Sequence, residues 1–141
     1  MYKVYTDGAY SPRKDVGGIG FIILNDKGSV VAEFNKSYTN TTNQRMEQMA
    51  VIQALKSITV PSEIEVYSDS AYVVETYNSG WKRNCNNDLW TTIDLLLKFH
   101  KSVKFIHVRG HNGDDLNERC DRNARAAVER SSYIKPNVFK L

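Results

Sequence analysis

Five short segments of the chain alternate apolar and polar positions or are rich in β-branched and aromatic residues, which is typical of β-strands. They are residues 2–6, 19–24, 30–34, 64–68 and 103–108. Asp7-Gly8 follows the first segment, and we expect this turn-forming pair to end that strand. The string NDKG at residues 25–28 separates the second segment from the third and predicts a hairpin of antiparallel neighbours.

Four further segments are predicted to be helices, from the helical spacing of their apolar residues or from a run free of glycine and proline. They are residues 44–58, 70–77, 87–101 and 116–131. We expect Asn87 or Asp88 to cap the third helix and His100 to be the polar end of its packed face. In the fourth helix, Cys120 and Ala124 belong to the apolar stripe. Residues 132–141 are interpreted as a peripheral tail.

The order of these elements places a three-stranded meander before an alternation of strands and helices. Such an order predicts an α/β fold, with a mixed sheet and helices on its faces. The 141 residues contain no linker-like stretch, so we expect one domain over residues 1–141. A domain of this size needs no disulfide to hold its core, and Cys85 and Cys120 are therefore expected to be free thiols.

Composition and charge narrow the class of protein. The longest apolar run, residues 19–24, is far shorter than the roughly 20 residues of a membrane span. No apolar segment follows Met1, so we expect no secretory signal, no membrane partner and a cytoplasmic location. The net charge is +3, from 19 basic and 16 acidic residues. If four acids gather at one site, the rest of the chain is more basic, which favours a polyanionic partner.

Two predicted strands end in nearly the same string, VYTDGA and VYSDSA. Each string places an aspartate, Asp7 or Asp69, at the carboxyl end of its strand. Because a helix joins these strands, they run parallel if they are neighbours, and both carboxylates then lie at the edge of the sheet where α/β proteins form their sites. Either aspartate alone is more simply explained as a strand-ending or capping residue, but the repeated string favours a site.

Two further acids lie on predicted helices. Glu47 ends the string TTNQRME, and an acid one turn into a helix also complements the helix dipole. Asp121 ends the string GHNGDDLNERCD and sits between Cys120 and Ala124 of the apolar stripe. A carboxylate that borders buried residues needs a partner, a cap or a metal ion.

The strings TDG, TTNQRME, SDSAYV and GHNGDDLNERCD together strongly resemble the ribonuclease H type 1 family, over residues 2–128. The resemblance implies a ribonuclease H-like, five-stranded mixed sheet in the order 3-2-1-4-5, whose first three strands form an antiparallel meander. It also implies endonucleolytic hydrolysis of the RNA strand of RNA/DNA hybrids with two Mg²⁺ ions. The implied catalytic and metal-binding carboxylates are Asp7, Glu47, Asp69 and Asp121.

The chemistry of four clustered carboxylates agrees with a metal site. Without a cation the carboxylates would repel one another and raise each other's pKa values. Oxygen ligands suit Mg²⁺, or Mn²⁺ in its place, rather than Zn²⁺. Two such ions about 4 Å apart can clamp the attacking water and the leaving 3′ oxygen, which would leave a 5′-phosphate and a 3′-hydroxyl.

The resemblance also assigns a role to His111, in a glycine-flanked loop, as a mobile catalytic helper in proton transfer or product release. His107 precedes it by four residues. Because Gly110 lies between them in a predicted strand and loop, a zinc pair on one helix face is not expected.

Substrate contacts are implied on both sides of the cluster. The implied substrate-binding residues are Gly8, Thr42, Asn43, Gln44, Trp81, Lys82 and Arg83. Thr42 and the two residues after it start a helix, whose free N–H groups suit a phosphate, although plain capping also explains them. The Gly8 backbone and Gln44 would contact 2′-hydroxyls. Trp81 would stack beside the DNA strand, whereas Trp90 is expected in the core.

The chain departs from the family pattern in two places. The string SPRKDV at residues 11–16 lacks the loop asparagine of many members, and Arg13 or Lys14 is the candidate replacement. Only residues 78–88 separate the second and third helices, so the basic handle helix of well-known bacterial members is expected to be absent or reduced to a loop. The string GGIG at residues 17–20 resembles a nucleotide-binding loop, but it leads into a strand, where strand-edge flexibility explains it better.

Two other functions compete with hybrid hydrolysis. A domain that binds hybrids without cutting them should have lost a metal carboxylate, whereas all four are present. A relative acting on DNA, such as a resolvase or transposase core, shares the fold, but the strings TTNQRME and GHNGDDLNERCD argue against it. We therefore expect an RNA/DNA hybrid as the partner and action as a monomer.

Overall fold

The computed structural model describes residues 1–109 and 115–133 of the chain. This described part holds five strands and four helices. They are β1 (Tyr2–Ser11), β2 (Val16–Leu24), β3 (Val30–Thr39), α1 (Asn43–Ser57), β4 (Glu63–Ser68), α2 (Ala71–Asn78), α3 (Asn87–Phe99), β5 (Ser102–His107) and α4 (Asp115–Arg130). Each helix and the last two strands begin and end close to the residues that the sequence pattern predicts.

The five strands form one sheet in the order β3-β2-β1-β4-β5. The pairs β1 with β2 and β2 with β3 are antiparallel, whereas β4 runs parallel to both β1 and β5. Helices α1 to α3 cover one face over an apolar core that contains Trp90, which is 1% exposed. Helix α4 packs on the opposite face. The predicted mixed sheet, its strand order and the core position of Trp90 are confirmed.

Strand β1 is longer than the sequence pattern predicts, because Asp7-Gly8 does not end it. The strand continues to Ser11, which pairs with Val16 of β2. Its parallel pairing with β4 ends earlier, at Thr6. The prediction of a strand end was wrong because the residues after Asp7 keep a partner in β2 after they lose the one in β4.

Glycines in β2 allow helices to approach the sheet closely. A Cβ atom on Gly18 would lie 2.2 Å from the Ala124 carbonyl oxygen, and one on Gly20 would lie 2.7 Å from that of Cys120. Strand β2 lies between β1 and β3, so the expected strand-edge flexibility is not the reason for these glycines. They are present because α4 would otherwise be pushed away from the sheet.

Helix α3 begins differently from the prediction. Its cap is Asn86, which has a left-handed φ of 58° and makes no capping hydrogen bond with its side chain. Asn87 and Asp88 lie inside the helix, and the Asp88 carboxylate accepts two hydrogen bonds from the Arg45 guanidinium, at 3.0 and 2.8 Å. The expected cap at Asn87 or Asp88 is therefore wrong, because Asp88 pairs with α1 instead.

His100 caps the carboxyl end of α3 and is buried. Its Nδ1 accepts a hydrogen bond from the Ser62 backbone N–H at 3.3 Å, so its Nε2 carries the proton and donates to the Leu55 carbonyl at 3.1 Å. The ring therefore joins the end of α3 to α1 and to the loop before β4.

Cys85 and Cys120 are free thiols, as expected, the first exposed and the second buried. In the part of the chain that the structure describes, no helix has both the length and the apolar character needed to cross a lipid bilayer.

Candidate active site

Three of the predicted carboxylates meet at one end of the sheet. Asp7 lies on β1, Glu47 lies near the start of α1, and Asp69 follows β4 directly. One oxygen from each carboxylate lies within 4.8 Å of the other two. β1 and β4 pair in parallel up to Thr6 and Ser68, and the residue that follows each of these along the chain is an aspartate of this cluster. We call these three residues the acidic cluster.

The Gly8 backbone holds two members of the acidic cluster. Its N–H donates to Asp7 Oδ1 at 2.9 Å and to Glu47 Oε1 at 2.5 Å. A Cβ atom on Gly8 would lie 2.6 Å from the Glu47 backbone nitrogen. The absence of a side chain at Gly8 therefore lets α1 approach β1 closely enough for one N–H to orient both carboxylates.

Burial and the charges of neighbouring carboxylates raise the pKa of each carboxyl in the acidic cluster. Asp7 is 3% exposed, and burial, with a further contribution from the charge of Asp69, raises its pKa to about 8. Burial and the charge of Asp7 raise the pKa of Glu47 well above its ordinary value. Burial, together with the charge of Asp121, raises the pKa of Asp69. The cluster therefore favours bound protons or a bound cation over three free negative charges.

Asp121 lies beside the acidic cluster but outside it. Its charge raises the pKa of Asp7 and Asp69, so it belongs to the same electrostatic environment. Its own carboxylate pairs with Arg125, one helical turn later on α4, at 2.8 Å. Sequence reasoning did not anticipate this ion pair, although the spacing of four residues on a helix signals it.

The donor set of the acidic cluster fits a hard divalent cation. Its ligands are carboxylate oxygens, which suit Mg²⁺ or Mn²⁺, and a bound cation would offset the charge of three carboxylates placed within 4.8 Å of one another. Asp7, Glu47 and Asp69 are therefore able to hold a divalent metal ion.

The helix start predicted to bind substrate lies next to Glu47. The Thr42 hydroxyl accepts a hydrogen bond from the Arg45 backbone N–H at 3.1 Å, so Thr42 caps α1. Asn43 and Gln44 are exposed in the first turn of the same helix. The capping explanation is thus correct for Thr42, and two adjacent polar side chains remain accessible.

The predicted aromatic and basic stretch is only partly accessible for binding. Trp81 is 49% exposed, and Lys82 is also exposed. The Arg83 guanidinium instead donates two hydrogen bonds to the Asp94 carboxylate, at 2.7 and 3.2 Å, and lies over the Tyr77 ring. Arg83 therefore joins the loop after α2 to α3, a role that the sequence did not predict.

Of the two histidines that the sequence places near the site, the structure describes only His107. His111 lies outside the described residues. His107 ends β5 opposite Ser68, and its Nε2 lies 3.3 Å from the Asp69 carbonyl oxygen. Its charge also lowers the pKa of Asp69. Its position at the end of a strand next to β4 is the signal that could have identified this contact.

Comparisons with known proteins agree with the fold. The RNase H family model matches residues 1–129. A ribonuclease H of Clostridium botulinum is 38% identical, over 89% of this chain and 94% of that protein. A ribonuclease H of Trichodesmium erythraeum is 41% identical, over 90% of this chain and 88% of that one. The crystal structure of LC11-RNase H1 in complex with an RNA/DNA hybrid has a TM-score of 0.80 at 24% identity, covering 92% and 97% of the two chains.

The sheet, the acidic cluster and these matches define a hydrolytic enzyme that acts on RNA, a ribonuclease. The chain belongs to the ribonuclease H family, since the family model covers most of its length and relatives of that name share more than a third of its residues. The family depends on divalent metal ions, in agreement with a cluster that is able to hold one.

Proposed function

We propose that the protein cuts the RNA strand of RNA/DNA hybrids at internal bonds, leaving 5′-phosphate and 3′-hydroxyl ends, with two Mg²⁺ ions or with Mn²⁺ in their place. The observation that carries the proposal is the convergence of Asp7, Glu47 and Asp69 within 4.8 Å in a chain of this family. The hybrid bound to LC11-RNase H1, a protein of the same fold, supports the substrate.

The carboxylates have distinct tasks in this proposal. Asp7, Glu47 and Asp69 would hold the cations, and Asp121 would join them when its ion pair with Arg125 opens. Bound divalent cations supply Lewis-acid stabilisation of the charge on the scissile phosphate. The Gly8 N–H fixes the orientation of two carboxylates, which lowers the cost of organising the site when substrate arrives.

Other residues would bind the hybrid or move protons. We assign His111 to proton transfer or product release, as the family resemblance implies. Gly8, Asn43 and Gln44 would contact the strands beside the cluster, and Thr42 would offer its helix start to a phosphate. On the other side, the exposed Trp81 and Lys82 would contact the DNA strand, and Arg83 would hold that loop in place through Asp94.

Three further assignments stay predictions. We expect the chain to act as a single catalytic domain over residues 1–141 and as a monomer. The two free thiols agree with the predicted cytoplasmic location, where cysteines stay reduced.

The direct test compares labelled RNA/DNA, RNA/RNA and DNA/DNA duplexes, each with Mg²⁺ and with chelator. We expect internal cuts in the RNA of the hybrid only, only with metal, and with 5′-phosphate ends. Asp69→Asn should remove cleavage, and His111→Ala should slow turnover without changing the metal concentration that supports half the rate. Efficient cutting of DNA/DNA would favour a DNA-acting relative, and hybrid binding without any cutting would favour a binding domain.

A further inference from the structure

A groove lined by basic residues lies beside the acidic cluster, between the turn after β1 and the last turns of α4. Its volume is about 300 Å³. Six of the residues that line it are Ala9, Ser11, Arg13, Lys14, Arg125 and Glu129. We call it the basic groove. A water molecule occupies roughly 30 Å³ in the liquid, so the groove has room for a hydrated phosphate group.

The basic groove continues the same surface as the acidic cluster. Asp7, Ala9 and Ser11 alternate along β1 and therefore share one face of the strand. Gly20 pairs with Asp7 in the sheet and lies against the Cys120 carbonyl of α4. Gly18 pairs with Ala9 and lies against the Ala124 carbonyl. Helix α4 therefore runs alongside β1 on this face, from the acidic cluster toward the groove.

The groove lies at a similar distance from the acidic cluster along β1 and from Asp121 along α4. Two residues of β1 separate Ala9 from Asp7, which is about 7 Å of strand. Four residues of α4 separate Arg125 from Asp121, which is about 6 Å of helix. Because one nucleotide advances a duplex strand by about 3.4 Å along the axis, the groove lies one or two nucleotides from the bond at the carboxylates.

The turn that forms the groove is held in one conformation. The Asp15 N–H donates to the Ser11 carbonyl at 2.8 Å, and the Tyr10 hydroxyl donates to the Asp15 carboxylate at 2.6 Å. Lys14 Nζ donates to the Val128 and Glu129 carbonyls at 3.1 and 3.2 Å, which ties the turn to the end of α4. A site held in this way loses little further freedom when an anion binds.

The two arginines of the groove are available for a ligand. Arg13 is exposed and forms no ion pair with any residue that the structure describes. Arg125 pairs with Asp121, but its side chain is 60% exposed, and exposed pairs of this kind contribute little. Three cationic side chains and one carboxylate, that of Glu129, line the groove, so the net charge of the lining is positive. A guanidinium also matches the geometry of a phosphate.

From this geometry we propose that the basic groove binds a backbone phosphate of the RNA strand, one or two nucleotides from the scissile bond, with Arg13 and Arg125 as its principal contacts. The proposal rests on the proposed function, since the groove is assigned to the RNA strand because the RNA bond to be cut is placed at the acidic cluster. Lys14 positions the turn, and Arg125 would exchange Asp121 for the phosphate, which would free that carboxylate for a cation.

The test measures hybrid affinity and its salt dependence in the Asp69→Asn background with Mg²⁺. Arg13→Ala/Arg125→Ala should weaken binding about tenfold or more, as expected for lost charged hydrogen bonds. Each lost contact should also reduce the slope of log affinity against log salt by about 0.7 to 0.9. The control, Lys27→Ala/Lys101→Ala, removes the same charge from exposed positions outside the groove and should change both quantities much less. Arg13→Ala alone should show part of the effect without a folding defect.

A neutral methylphosphonate at single RNA phosphates locates the contact. Protein with the intact groove should lose affinity when the phosphate one or two nucleotides from the mapped cleavage site is neutralised. The affinity of the groove variant should not change on the same substitution. Affinity of the groove variant equal to that of the control would overturn the proposal. The proposal would also be overturned if the groove variant lost affinity for inorganic phosphate but kept its affinity for the hybrid. If the wild-type chain does not cut hybrids at all, the proposed function fails instead.

Discussion

Asp7 is the residue where the opposing demands of folding and chemistry are clearest. It is almost fully buried, and burial together with Asp69 raises its pKa to about 8 from an ordinary 3.8. Because the pKa is higher in the folded than in the unfolded protein, ionisation of Asp7 opposes folding. The penalty is absent below pH 4, grows as the pH rises and is complete above pH 8. A bound cation would compensate it.

We expect Asp7→Asn, measured by thermal unfolding in chelator at pH 8, to melt at or above the wild-type temperature. The difference should shrink as the pH falls toward 5, because the wild-type carboxyl then takes up its proton. Mg²⁺ should raise the melting temperature of the wild type more than that of the variant. Asp26→Asn, at a carboxylate that is 75% exposed, is the control. A variant that melts clearly below the wild type in chelator at pH 8 would make Asp7 a structural residue.

Individual residues of the site differed in how far the sequence could predict them. Asp7 and Asp69 were predictable because the repeated string places each of them directly after the residues that pair in parallel between β1 and β4. Arg83 was not, because its partner Asp94 lies on the next helix, and the path of the intervening loop decides whether the two meet. His107 was considered only as a metal ligand, although its place beside Ser68 brings it to Asp69.

At the scale of elements, the approach of α4 to the sheet decides where Asp121 lies. The helix reaches β2 through Gly18 and Gly20, whose hypothetical Cβ atoms would collide with backbone oxygens of α4. The sequence showed these glycines, but whether a glycine in a strand serves flexibility or close packing depends on what packs over it. The end of β1 was equally hard to predict from the sequence. The strand extends past Asp7 because β2 pairs with the residues that follow it.

We expect Gly18→Ala to destabilise the protein by about 1 to 3 kcal/mol, because the added methyl group must displace α4 backbone. The displacement should also lower activity below the loss explained by unfolding. Gly28→Ala is the matched control: its φ of 77° makes alanine strained, but no atom lies within 4 Å. It should lose stability and keep its activity. The check is chemical denaturation together with cleavage rate at a temperature where both variants are folded. Full activity in Gly18→Ala would show that the position of α4 is not critical.

At the scale of the whole molecule, the few basic residues around the site determine how hybrid binding responds to salt. The net charge is only +3, and Arg83 is occupied by Asp94. Exposed Trp81 and Lys82 remain on the α2–α3 side, and the basic groove lies on the α4 side. Few phosphate contacts predict modest affinity and a shallow dependence on salt.

In the Asp69→Asn background, Lys82→Ala should reduce the slope of log affinity against log salt by about 0.7 to 0.9. Trp81→Ala should weaken binding and leave the slope unchanged, since stacking releases no counterions. Lys56→Ala, in the last turn of α1, is the control. Salt titrations of hybrid affinity provide the measurement. If neither Trp81→Ala nor Lys82→Ala differs from the control, the loop after α2 does not face the nucleic acid.

The carboxylates that meet within 4.8 Å come from positions 7, 47 and 69, and α4 closes the other face of the sheet only with residues 115–130. A ribosome delivers these pieces in order, so the nascent chain holds the three acids long before the helix that flanks them. Domains complete their packing once their last element has emerged. We therefore expect nuclease activity only after residues 115–130 have been synthesised, and a chain that is released before them should carry the three acidic residues without a working enzyme.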